Sequence, residues 1–143
     1  MLSNSSKYAL KAVLYLAVHA NESNKIMVKD IAAPINVPQA YIAKLLQELS
    51  RKHLISSKSG KDGGFYLNEE NINQSVIKII EAIDGENKLN SCLLSLEHCN
   101  ENNPCPLHHI ANPYRAELIS KLSTKSIKDL SLEVSTGRAI LPL

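Results

Sequence analysis

Pro38-Gln-Ala-Tyr-Ile-Ala-Lys-Leu-Leu-Gln-Glu-Leu-Ser-Arg-Lys52 is the stretch on which the fold of this chain turns. Ile42, Leu45, Leu46 and Leu49 fall at i, i+3, i+4 and i+7, the spacing that lays one apolar face along an α-helix. The opposite face carries Gln39, Ala40, Ala43, Lys44 and Gln47 and runs out into Arg51 and Lys52: small or hydrogen-bonding side chains with basic flanks. Pro38 is expected at the first helical position, where its missing N–H costs nothing.

Upstream, Val28-Lys-Asp-Ile-Ala-Ala33 predicts one or two helical turns stopped by Pro34, with residues 34–37 as a short break. Two short helices joined by a tight turn, the second with a small polar outer face, match the helix-turn-helix pattern, whose second helix enters the DNA major groove. On these residues alone an ordinary helical hairpin with a solvated face stays open. Downstream, Leu54-Ile-Ser-Ser-Lys-Ser59 reads as a short strand, Gly60-Lys-Asp-Gly-Gly64 as a turn and Phe65-Tyr-Leu67 as the returning strand. A small hairpin directly after the second helix, with Lys58 and Lys61 near its tip, is the wing that a winged helix-turn-helix sets against phosphates or the minor groove. The tip lacks the Lys-Ser/Thr and following helix of a nucleotide-binding loop.

Around this centre lie four further helical segments. Residues 5–19 are apolar nearly all round, with Asn4 or Ser5 as the expected cap, so that helix should be covered on more than one side. Asn73 is the expected cap of a helix carrying Val76, Ile79, Ile80 and Ile83, closed by Gly85. Asn112-Pro113 reads as the start of another, with Tyr114, Leu118, Ile119 and Leu122 on its apolar side, and Ser126 with Asp129 opens a last short one. The expected architecture is mainly α: a winged helix-turn-helix domain at 1–85, a cysteine-containing loop at 86–111, a carboxy-terminal dimerisation helix with a short terminal helix at 112–135, and a tail at 136–143. A helix outside the winged domain packs most economically on its twin in a second copy, which suits two-fold related DNA half-sites and predicts a homodimer.

At 143 residues and 44% hydrophobic content the chain suffices for one domain with an appended element. Net charge is only +2, so any grip on DNA must come from clustered cations. No basic run precedes a small-residue cleavage site, and no apolar stretch reaches the ~18 residues of a membrane span. A cytoplasmic, reducing location without membrane contact is therefore expected. Tryptophan is absent and aromatics make up 4%, which argues against base-stacking platforms for single strands.

All three cysteines, Cys92, Cys99 and Cys105, fall between Asn90 and His108, with six and then five residues between them. The segment has no sustained apolar period and is broken by Pro104 and Pro106, so it reads as a loop, able to turn three thiolates toward one centre. The spacing is neither that of a zinc finger nor that of a ferredoxin, yet thiolates favour zinc or an iron–sulfur cluster over hard cations. His108 is the nearest fourth ligand, with His98 and His109 as others. Three free thiols, or one disulfide with a spare, remain the alternatives.

Taken jointly, Lys7-Tyr8-Ala9-Leu10, residues 37–46, Leu54-Ile55, Gly60-x-x-Gly-Gly-Phe65, residues 79–85 and Cys105-Pro-Leu-His108 resemble the bacterial winged-helix transcription regulators that include IscR, NsrR and CymR, over residues 1 to about 135. The resemblance implies a DNA-binding regulator, not an enzyme, in which Cys92, Cys99 and Cys105 hold an iron–sulfur cluster with His108 as fourth ligand. A 2Fe-2S centre is favoured over 4Fe-4S, since Tyr8 stands where NsrR places an acidic ligand. It also implies that Gln39, Ala40, Tyr41 and Lys44 face DNA bases or phosphates, and that Lys7, Arg51, Lys58, Ser59 and Lys61 lie along the backbone. Three departures stand out: the first cysteine gap is one residue longer than in IscR, Ser59 replaces a wing arginine, and Ala43 replaces the glutamate with which IscR discriminates bases. Rival readings on the same residues are a thiol or zinc sensor on the winged scaffold and an iron–sulfur redox carrier.

Overall fold

The computed structural model describes residues 2–94 and 100–143. Helix α1 (Asn4–His19) runs through the middle of the molecule, with Ala9, Ala12, Val13 and Leu16 fully buried. Helices α2 (Val28–Ile35), α3 (Gln39–Arg51), α5 (Val76–Asp84) and α7 (Ile127–Ser135) all pack on it, as expected of a helix apolar nearly all round. Its cap is Ser3 rather than Asn4 or Ser5: the Ser3 hydroxyl accepts the Ser6 N–H at 3.0 Å.

Helix α2 does not stop at Pro34 but continues through it to Ile35, and Asn36 closes it in the left-handed region at φ 60°. The lost hydrogen bond is the one to the carbonyl of Asp30, an exposed first-turn residue. Pro38 then precedes α3 as its cap, one position earlier than the sequence suggests, and its carbonyl accepts from Tyr41 and Ile42. The apolar face reads as expected, with Ile42, Leu45, Leu46 and Leu49 all buried.

The wing consists of β1 (Ser56–Lys58) and β2 (Gly64–Tyr66), antiparallel, with Ser57 opposite Phe65. Ile26 adds a bridge to its outer edge, exchanging backbone bonds of 2.8 and 3.0 Å with Phe65. That approach explains Gly64: a Cβ there would lie 2.7 Å from the Ile26 carbonyl oxygen. Beneath the wing sits a helix that the sequence pattern does not announce, α4 (Glu69–Ile72), opened by a capping box between Asn68 and Asn71. The buried Asn71 amide also donates to the His53 carbonyl at 3.0 Å and accepts from the Ser56 hydroxyl at 2.6 Å, tying the exit of α3 to the root of the wing. Asn73, expected to open the next helix, instead closes α4, and Ser75 precedes α5. Helix α5 ends at Gly85, which takes φ 88°.

Helix α6 (His108–Thr124) starts four residues before the expected Asn112-Pro113 pair and carries Pro113 inside it. The unmade bond again belongs to a first-turn carbonyl, that of exposed His109. Ile119 and Leu122 of α6 pack with Ile77, Ile80 and Leu89. Ser126 and Asp129 form the anticipated capping box of α7. Ile127, 1% exposed, enters the main core, while backbone bonds Val76 to Lys125 and Ile127 to Gln74, each 2.9 Å, pin the α6–α7 turn to the start of α5. The terminal helix is thus built into the same core as the wing-bearing half.

Candidate nucleic-acid interface and cysteine site

Cations and small polar side chains are exposed along α3 and the wing. Gln39, Ala40, Lys44, Gln47 and Arg51 are exposed along α3; Lys58, Ser59 and Lys61 are exposed on the wing, and Lys7 on the first turns of α1. Lys52, Lys78 and Lys121 are paired with Glu48, Glu81 and Glu117 on their own helices. Among the described residues Lys7, Lys44, Arg51, Lys58 and Lys61 form no ion pair, so their charge is available to an outside anion.

Between the end of α3 and the wing runs a groove of about 430 Å³ lined by Gln47, Ser50, Arg51, Ser57, Lys58, Ser59, Gly64 and Phe65. The Ser50 and Ser57 hydroxyls, 3.1 Å apart, bridge its walls. The sequence singles out Arg51, Lys58 and Ser59 but not the hydroxyl pair, because only strand register brings Ser57 across from the last turn of α3. At the wing tip the Gly63 N–H donates to the Gly60 carbonyl at 3.0 Å, and Asp62 takes φ 63°. Tyr41 differs from its neighbours. It is half-buried, its ring meets Tyr8 edge-on at 5.9 Å and its hydroxyl lies 2.7 Å from that of Ser5, so the helix face it shares is clasped to α1.

The cysteine site lies beyond α5. Cys92, 8% exposed, and Cys105, half-buried, bring their sulfurs to 3.5 Å, with Cys105 three residues before α6. His108 opens that helix, is 4% exposed, and donates its backbone N–H to the Cys105 carbonyl at 3.0 Å. Cys99 and His98 lie outside the described residues. His109 is exposed, its ring edge-on to His108 at 5.3 Å. Among the described residues no three His, Cys, Asp or Glu side chains assemble into a metal-holding group.

The donors present can be tested against a metal. Two thiolates about 2.3 Å from one tetrahedral ion lie about 3.8 Å apart, and disulfide sulfurs about 2.05 Å. The observed 3.5 Å is close to the first and far from the second. The pair stands at the contact distance of two free thiols, a separation that a shared thiophilic centre also accommodates.

Residues 2–133 match the model of a family described as Rrf2, iron-dependent transcriptional regulator. The chain belongs to the Rrf2 family. A chain of Aquifex aeolicus (strain VF5) classed with the HTH-type transcriptional regulators is 33% identical over 132 residues, which are 91% of this chain and 90% of that one. The HTH-type transcriptional regulator IscR of Xenorhabdus nematophila is 26% identical over 129 residues, covering 90% of this chain and 77% of its own. Among solved structures, CymR, the global cysteine regulator of B. subtilis, superposes with a TM-score of 0.73 over 92% of this chain and 96% of its own, at 22% identity. This Rrf2 protein is a transcriptional regulator, not an enzyme, on a mainly helical winged scaffold with a two-stranded sheet. Among its described residues no helix is long and apolar enough to cross a membrane.

Proposed function

We propose that this Rrf2 protein is a cytoplasmic homodimer that binds a specific duplex operator, its grip set by a 2Fe-2S cluster held by Cys92, Cys99, Cys105 and His108. The observation that carries the reading is the 3.5 Å approach of the Cys92 and Cys105 sulfurs beside the buried His108. Such a cluster, when bound, supplies a centre whose charge and integrity respond to oxidants, nitric oxide and iron–sulfur supply. The chain does the rest. Cys92 lies in the connector after α5 and Cys105 three residues before α6, so a centre bound by both would tie that connector to the start of α6. A tenfold change in operator affinity requires only about 1.4 kcal/mol between the two forms.

In this reading Gln39, Ala40, Tyr41 and Lys44 face the major groove, while Lys7, Arg51, Lys58, Ser59 and Lys61 line the backbone. The dimer surface is the outer face of α6, where Ile110 is 65% and Tyr114 72% exposed one turn apart, with Leu93 and Leu94 also exposed. Oxygen-free purification followed by visible spectroscopy and iron and sulfide assay tests the cofactor. A brown protein that loses its colour in Cys92→Ala, Cys105→Ala and His108→Ala variants is expected, and a colourless wild type containing no iron would refute it. The second reading is a thiol or zinc switch at the same place, favoured by the same sulfur pair, which needs to close only about 1.5 Å to become a disulfide. Bound zinc, or a mass loss of two hydrogens on mild peroxide treatment that abolishes DNA binding, would select it.

A further inference from the structure

If a cluster in the cysteine loop governs DNA binding, as proposed above, a physical route must join that loop to α3, and the route depends on that functional reading. The loop begins at Gly85, and Asp84 is the last residue of α5. The Asp84 carboxylate takes both polar groups of Ser3: the hydroxyl donates to Oδ1 and the backbone N–H to Oδ2 at 3.2 Å. Ser3 in turn caps α1 by accepting the Ser6 N–H. On that same first turn Ser5 is joined to the Tyr41 hydroxyl of α3 at 2.7 Å, and Lys7 faces outward. A second tie runs in parallel. Leu89, inside the loop and 6% exposed, packs with Ile77 and Ile80 in a cluster that also takes Leu2 and Leu10.

We infer that Asp84 is the positioning residue through which the state of the cysteine loop reaches the DNA-reading helix, by its two-pronged hold on Ser3. Tying the connector to α6 through Cys92 and Cys105 restrains Gly85 and, with it, Asp84 at the end of α5. The carboxylate carries that restraint 81 residues back in sequence to the amino end of α1. The Ser5–Tyr41 clasp passes it to α3 between Gln39 and Lys44. Apolar contacts between α1 and α5 slide without preference for direction, whereas a carboxylate accepting two hydrogen bonds from one residue sets both distance and orientation.

The test uses full-length protein and an operator duplex selected by the wild type from a random pool. Anisotropy titrations compare cluster-loaded protein with protein stripped anaerobically by chelator and kept reduced, for wild type, Asp84→Asn, Asp84→Glu and Ser5→Ala. A wild-type affinity ratio of about tenfold between forms should collapse to below about threefold in Asp84→Asn and in Ser5→Ala, which breaks the route at its far end. Asp84→Glu should recover most of the ratio. Unchanged cluster absorbance and a retained cooperative melt separate lost coupling from lost fold. In the stripped protein, hydrogen exchange at the Ser6 and Lys7 amides should be faster in Asp84→Asn. A wild-type ratio near one overturns the functional reading and the route with it. A clear wild-type ratio kept intact by both Asp84→Asn and Ser5→Ala overturns the route alone.

Discussion

Removing the wing-tip cation Lys61 offers a quantitative check on the DNA-binding face. Lys61 is exposed between Gly60 and Asp62, at the outermost point of the hairpin, and forms no ion pair among the described residues. With Lys7, Lys44, Arg51 and Lys58 it makes up the five exposed cations per protomer that the proposed DNA face presents. If each neutralises one phosphate, a dimer holds about ten, and log affinity should fall against log salt with a slope of about −9. Lys61→Ala withdraws one contact per protomer, so the slope should flatten by about 1.8 for the dimer, or about 0.9 per half-site. Raising salt from about 50 to about 200 mM then narrows the gap between wild type and variant roughly tenfold. Fluorescence anisotropy on a selected operator and on a scrambled duplex of equal length reads this directly. Both duplexes should show the same change in slope, since a phosphate contact carries no sequence information. An unchanged slope accompanied by altered preference between the two duplexes would refute the assignment.

Gly63→Ala places a Cβ 2.3 Å from the Lys58 carbonyl oxygen, so the wing tip must open; weaker operator binding of roughly tenfold or more with little change in thermal unfolding is expected in parallel titrations and melts. Tyr114→Glu puts a charge on the outer face of α6, and sedimentation velocity should show the dimer weakened at least tenfold while the circular dichroism spectrum is kept. Burial pushes the Asp84 carboxyl up, but its hydrogen bonds with Ser3 hold it, on balance, below the usual carboxylate range. A lowered folded-state pKa adds stability above the unfolded pKa that is lost as pH falls through the folded one, so the melting-point gap between wild type and Asp84→Asn should shrink below about pH 4. A gap independent of pH would contradict it.

Local chemistry is legible along much of the chain. The capping pair Ser126 and Asp129, the i, i+3, i+4, i+7 face of α3 and the turn glycines Gly60 and Gly63 of the wing each act within a few residues, so the sequence alone determines them. The prolines mislead for the same reason in reverse. Pro34 and Pro113 read as boundaries, yet both helices run through them, each forgoing a single bond to an exposed first-turn residue, Asp30 or His109. The candidate site divides along the same line. Thiol spacing and the row of cations on α3 and the wing are visible in the string of residues, as is the helix-turn-helix itself. Only the tertiary structure decides that Ile26 edges the wing, that Ser5 clasps Tyr41, that Asp84 holds Ser3, and that the sulfurs of Cys92 and Cys105 meet across 13 positions. Those partners are set by which apolar faces are buried against α1, and no local period or cap energy specifies where two distant polar groups come to rest once that core has closed.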